Sequence, residues 1–350
     1  MRHLLAVMSI AALAVPLSAH AADRVYIPLG NDNRLVVIDA EKDVPIGAIE
    51  GLAAVHGLAG TPDGKLLVAG SFLEREPGAE MPAKPAQMSA EEHAAHHGKG
   101  QDMPKMAGAI STVSIIDAAK GEVIRQVDVP GAVHHVAISA DGRLAAVTQP
   151  GAGTVSVIDL TSYEVIATVP TGELPNYAVF DPQGRRLMVS NGGNGTVSVI
   201  DPANWSVQRK ISVGKSPEHV VLSADGSTLY VNNVDDGSVS IIDLDQGEVV
   251  KTIPVGKVLH GIDLSDDGRR LYVAVRGENK VAAIDLVTGS EQSTQLSPGP
   301  YHLAAVRGSG KIYVSSADEP KAWVLRQDDL KVIGEIPIGG KGHQMVVSQN

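Results

Sequence analysis

The sequence predicts an all-β protein, a seven-bladed β-propeller of four-stranded blades, closed by a C-terminal strand that completes the N-terminal blade. Three observations carry this prediction. A Ser-Val-Ile-Asp-type motif recurs with its Asp at Asp39, Asp117, Asp159, Asp201, Asp243 and Asp285, and the last four intervals are 42 residues each. The runs between these landmarks are short and β-branched, bounded by Asp-Gly and Asn-Gly pairs, with no helical period sustained over three turns. The first unit lacks an innermost strand, while residues 342–348 supply a lone one at the far end, which removes the free edge an open ring would expose.

Each unit repeats one plan. Val220-Val221-Leu222 leads into the turn Ser223-Ala224-Asp225-Gly226. Leu229-Tyr230-Val231 follows, then the turn Asp235-Asp236-Gly237, the run Val239-Ser240-Ile241-Ile242 and a last run from Val249 to Ile253. Four strands in about 42 residues is the pattern of a propeller blade. Asp141, Asp225 and Asp267 read as turn formers, because a short carboxylate accepts its own turn's N–H groups. Arg326 stands 41 residues after Asp285 and marks the seventh unit. The first interval is 78 residues, one period plus a 36-residue insertion at about residues 74–109, between the second and third strands of the second blade.

Ahead of the ring, residues 1–21 read as a signal peptide: Arg2, an apolar stretch over residues 4–17 broken only by Ser9 and Pro16, and Ala19-His20-Ala21 before the cleavage point. The stretch is shorter than the roughly 18 residues of a membrane span. The expected mature chain, residues 22–350, is one periplasmic domain and a monomer.

Composition excludes several functions. The 350 residues carry 29 Lys+Arg against 40 Asp+Glu, a net charge of −11, which opposes binding to nucleic acid or to an anionic membrane. With no cysteine there is no disulfide, thiol nucleophile, Cys-ligated zinc or covalently attached c-type haem. Aromatics are only 3%, too few for base-stacking platforms. There is no Gly-x-Ser-x-Gly elbow, phosphate loop or dinucleotide fingerprint.

Histidine is what remains. Aligning the units on their first turn places His56, His134, Asn176, Glu218, His260, His302 and His343 at one position, with His135 and His219 one residue later. The other five of the twelve His are His3 and His20 in the leader and His93, His96 and His97 in the insertion. The shared position lies where each blade enters its innermost strand, so it forms a ring at one mouth of the axial channel. Imidazoles on rigid strands are preorganised ligands for zinc, copper, iron or nickel, and a subset of three or four suits a single ion. The insertion adds Met81, Met88, Met103 and Met106 to its three His, and thioether with imidazole is a copper ligand set. A short helix over this segment would put His93 and His97 on one face. Its place between second and third strands puts it on the same face as the ring.

The runs Leu229-Tyr230-Val231-Asn232-Asn233 and Leu187-Met188-Val189-Ser190-Asn191, with Gly-Thr-Val-Ser-Val-Ile-Asp at 195–201, resemble the YVTN family of seven-bladed propellers over nearly all of the mature chain. That family includes binding modules, lactonase-like enzymes and d1-haem domains. The ring is also similar to that of nitrous oxide reductases, whose axial copper cluster uses a His-His pair like His134-His135. This chain lacks their cysteine-containing copper domain and has Asn176 and Glu218 in the ring. The resemblance to d1-haem nitrite reductases implies an axial His and basic residues for the haem carboxylates, where Arg276 and Arg307 are the expected partners. Periplasmic zinc chaperones with a propeller and a His-rich flap share the architecture.

The expected function is a metal-binding propeller that binds, buffers or delivers copper or zinc to a periplasmic transport or metalloenzyme partner. Its ring ligands are His56, His134, His260, His302 and His343, joined by His135, His219 and Glu218. Its capture set is His93, His96, His97, Met103 and Met106. This makes the chain a carrier rather than an enzyme. The alternatives are a d1-haem- or copper-dependent oxidoreductase and a metal-free interaction scaffold.

Overall fold

A computed structural model of the chain describes residues 23–79 and 108–348. These form seven four-stranded antiparallel sheets, and the only helical elements among them are the short 3-10 turns Gly30–Asp32 and Arg276–Glu278. The protein is a seven-bladed β-propeller. No helix among the described residues is long and apolar enough to cross a membrane.

The 42-residue spacing has a local cause. Each landmark Asp ends the third strand of its blade and accepts the backbone N–H two residues on, and all but Asp201 also the one three residues on: Asp159 Oδ1 takes those of Thr161 at 2.7 Å and Ser162 at 3.0 Å. The chain then needs one left-handed residue to turn back, as at Tyr163 (φ 61°) and Trp205 (φ 54°). In the seventh blade Asp329 takes over this task, accepting from Lys331 N at 3.1 Å and pairing with Arg326. The Asp of the first turn works the same way. Asp225 accepts from Ser223 Oγ and Ser227 N, which holds its carboxyl down at about 2.

The core is layered rather than central. Seven separate apolar clusters each fill one blade-to-blade interface. A ring therefore grows by adding interfaces rather than by deepening one core. The outermost strands, such as Val44–Glu50 and Glu248–Pro254, are largely exposed.

Ring closure follows the expected split. Val346–Ser348 pairs antiparallel with Arg24–Leu29, with Arg24 opposite Ser348 and Tyr26 opposite Val346, and completes the first blade from its inner edge. The strand is shorter than the run 342–348, and His343 lies ahead of it, tied to Pro28 O at 3.0 Å. A clamp on the other side of the seam joins blades seven and one: Lys311 Nζ reaches both carboxylate oxygens of Asp43 (2.7 and 2.8 Å) and Ala40 O (3.0 Å), and Tyr313 bonds the same carboxylate.

Candidate functional site

The antiparallel order of each blade puts two sets of loops on one face: those entering the inner strands and those joining second to third strands. The ring positions sit at the first set. His56 lies in Val55–Gly60, Asn176 in Pro175–Phe180, Glu218 and His219 in Pro217–Leu222, His260 in Leu259–Leu264 and His302 in Pro300–Val306. His134 and His135 immediately precede Val136–Ile138. All seven imidazoles are buried, as are Asn176 and Glu218.

The ring divides into two groups. His56 stands between His134 and His343, with ring centroids 4.6 Å from each. His219, His260 and His302 form a tighter group, at 4.2 Å, 4.5 Å and 5.0 Å for the three pairs. One nitrogen from each of these three lies within 4.8 Å of the others, and no other such group of three occurs among the described residues. Glu218 adjoins it, with Oε2 3.9 Å from His219 Nδ1.

Backbone carbonyls set the tautomers on the first group. His56 Nδ1 is 2.9 Å from His134 O, and His134 Nδ1 is 3.1 Å from Asn176 O. A carbonyl only accepts, so each Nδ1 carries the proton and each Nε2 keeps its lone pair, the state a metal ligand requires. These bonds run from blade to blade. Asn176 O and the equivalent carbonyls of the next two blades are also held by side chains: Thr148 Oγ1 donates to Asn176 O (2.8 Å), Ser190 Oγ to Glu218 O (2.6 Å) and Asn232 Nδ2 to His260 O.

His135 is different. Its Nδ1 accepts the Ala178 N–H at 3.2 Å, its Nε2 lies 2.6 Å from the Gln344 amide, and its ring stacks on Tyr177 at 3.4 Å. Both nitrogens are engaged by the protein, so His135 belongs to the channel wall rather than to the ligand set expected from sequence. Gln344 is itself positioned by the Leu58 N–H, which donates to its Oε1 at 3.4 Å. Burial, then the neighbouring His219 and His56, hold the pKa of His135 well below the usual 6.5.

This has a measurable consequence in metal-free protein. Below pH 6.5 the unfolded chain protonates this imidazole and the folded one does not, so stability is lost as pH falls. The slope is about 1.4 kcal/mol per pH unit for one such group. Urea unfolding between pH 7 and 5 is expected to lose one proton's share of that slope in His135→Gln, which still accepts from Ala178. An unchanged slope would show that His135 is not the group held neutral.

Several neighbours were not singled out from sequence. Tyr177 occupies the same alignment position as His135 and His219, so the repeat itself marked it. Tyr301 packs against His260 at 3.7 Å and Phe72 against His56 at 5.5 Å, but neither stands in the aligned positions. Burial raises the Tyr177 and Tyr301 hydroxyls far above their ordinary pKa, with Asp263 adding to it at Tyr177 and Glu218 at Tyr301.

The two arginines expected to serve one carboxylate-binding surface lie on opposite faces. Arg276 is at the ring face, over Tyr301 at 5.4 Å and 3.7 Å from Asp318. Arg307 follows the inner strand of its blade at the far end, pairing with Asp263 at 2.5 Å and bonding Leu264 O. Alternation of strand direction separates them, which linear spacing did not reveal.

The described ends of the insertion leave from the ring face through a tied neck. Arg75 and Ile110 form a β-bridge, Arg75 pairs with Asp128 at 2.5 Å, and Glu74 Oε1 accepts from Ala132 N at 3.0 Å. The capture set His93, His96, His97, Met103 and Met106 lies outside the described residues, as does the expected signal peptide at 1–21.

The family described as Cytochrome D1 heme domain matches residues 106–294, more than half of the chain and four of its ring positions. The chain belongs to the cytochrome d1 haem domain family. No curated protein matches it. Solved structures share its fold at low identity. A functionally unknown protein from Desulfotomaculum acetoxidans has a TM-score of 0.73 at 14% identity, covering 94% of this chain and 99% of that one. Kuenenia stuttgartiensis hydrazine synthase has 0.65 at 18%, covering 83% and 88%. The dihydro-haem d1 dehydrogenase NirN, in complex with DHE, has 0.64 at 15%, covering 92% of this chain and 65% of that one. This cytochrome d1 haem domain chain is thus a d1-haem-related propeller, and the YVTN resemblance is accurate for its fold. A metal-chaperone membership finds no support in these comparisons.

Proposed function

We propose that the chain is an exported, d1-haem-related redox propeller whose channel-mouth imidazoles, His56 and His134 first, would hold a d1-type haem. The observation that carries this reading is the orientation of His56 and His134, whose Nδ1–H groups each face a backbone carbonyl of the next blade, which fixes the tautomer and the plane of each ring. Membership of the cytochrome d1 haem domain family supports it. The imidazoles stand too close together for a tetrapyrrole to lie among them, so the group would be held from the mouth. Phe72, partly exposed beside His56, offers apolar surface there, and Arg276 and Lys257, at the loops next to Leu259–Leu264 and Arg270–Val275, are among the cations of that face for carboxylates. Arg307 is excluded by its position. Such a haem, when bound, supplies one-electron chemistry at its iron. The chain's own part is to fix the imidazole tautomer and plane and to keep water from the buried ring.

A carrier of copper or zinc is the second reading, favoured by the spacing of His219, His260 and His302 and by the His/Met content of residues 74–109. Delivery to a periplasmic partner belongs to that reading. Absorption spectroscopy and elemental analysis of the protein from its own host separate the two. The haem reading expects a coloured protein with stoichiometric iron, and loss of the colour in His56→Ala or His134→Ala. Colourless protein with stoichiometric copper or zinc would overturn it in favour of the carrier. Colourless protein with no metal would leave an interaction scaffold.

A further inference from the structure

The ring carries a second donor group that the haem reading does not use. We propose that His219, His260 and His302, with Glu218 beside them, form a binding site for one divalent first-row ion of borderline softness, such as zinc or cobalt. Three features support it. The donors are imidazoles only, which favour such ions over magnesium or calcium. All three side chains and Glu218 are 2–5% exposed, so the site is already dry and held by inner strands of three successive blades. One nitrogen from each lies within 4.8 Å of the others.

The geometry asks for a modest adjustment. Four-coordinate ions with bonds of about 2.1 Å hold their nitrogens about 3.4 Å apart. The imidazoles must therefore draw in by about 1.4 Å at most, within reach of ring rotation about the χ angles. Three neutral imidazoles leave a divalent ion with its full charge in a buried place. Glu218 supplies the counter-charge, and its 3.9 Å separation from His219 puts it at the edge of the same group. In the other half of the ring the position that follows His134 is the uncharged Asn176, whose carbonyl takes the His134 Nδ1–H.

The test uses full-length, haem-free protein in which His93→Gln, His96→Gln and His97→Gln silence the insertion. Cobalt titration followed by visible absorption, and zinc competition against it, report the site. One equivalent of cobalt is expected, with the intense visible bands of a four-coordinate ion. His260→Ala and His302→Gln are each expected to weaken it by more than roughly 100-fold, since even outer partners of a metal site cost 10–100-fold. Glu218→Gln is expected to weaken it about tenfold, and Asn176→Ala to leave it unchanged. Absence of stoichiometric binding, the pale spectrum of a six-coordinate ion, or equal effects of His302→Gln and Asn176→Ala would overturn the proposal. Because no haem is present, failure here leaves the haem reading standing, and a native protein without haem leaves this site standing.

Discussion

Removing residues 342–350 is expected to abolish the cooperative fold. The deletion takes away the strand Val346–Ser348, the buried Met345 that belongs to the cluster between blades seven and one, and the His343 tie to Pro28. Losing a buried Met side chain alone costs about 2–5 kcal/mol. The deletion also uncovers Arg24–Leu29 along its inner edge, a strand with unpaired N–H and C=O groups and an apolar surface. The total is comparable with the whole stability of a domain, about 5–15 kcal/mol. Thermal unfolding and size-exclusion chromatography of the truncated chain should show a broad transition and aggregation. A sharp transition within a few degrees of the intact protein would mean that closure from the C-terminus contributes little.

Gly261→Ala is expected to damage stability and site together. A Cβ at Gly261 would lie 2.5 Å from Leu303 N and 2.8 Å from Tyr301 O, so blade seven's inner strand must move away from blade six. Its two neighbours in sequence and space are His260 and His302, and the displacement opens the group of three imidazoles. Forced repacking of this kind costs about 1–3 kcal/mol. Gly47→Ala is the control, because nothing lies within 4 Å of its Cβ position on an outer strand, and it should stay within about 0.5 kcal/mol of the parent. Urea unfolding measures both. A Gly261→Ala protein as stable as Gly47→Ala would show that the blades separate here without cost.

Both predictions rest on closeness between blades, which is where sequence reading reached its limit. Blade count, strand order and the turn role of the landmark aspartates were legible because they follow from local rules repeated seven times: an Asx turn, a left-handed residue, a β-branched run. The His positions were legible as a shared height in the ring for the same reason. Tyr177 was visible by that same alignment, since it stands in register with His135 and His219. Phe72 and Tyr301 were not, because they reach the ring from outside the aligned positions.

What the sequence by itself determined is therefore the blade and the height of each residue. A 42-residue period maps position in the chain onto position around the ring, and hydrogen-bonded strands allow little slippage. Only the tertiary structure decided how the imidazoles group. It set His219, His260 and His302 together, gave His56 and His134 their Nδ1–H tautomers, turned both nitrogens of His135 toward the protein, and placed Arg276 and Arg307 on opposite faces. Those outcomes depend on the direction in which each side chain leaves its strand and on which neighbouring carbonyl comes within bonding distance. Both are fixed by packing between blades that meet only when the ring closes, and no local rule along the chain encodes them.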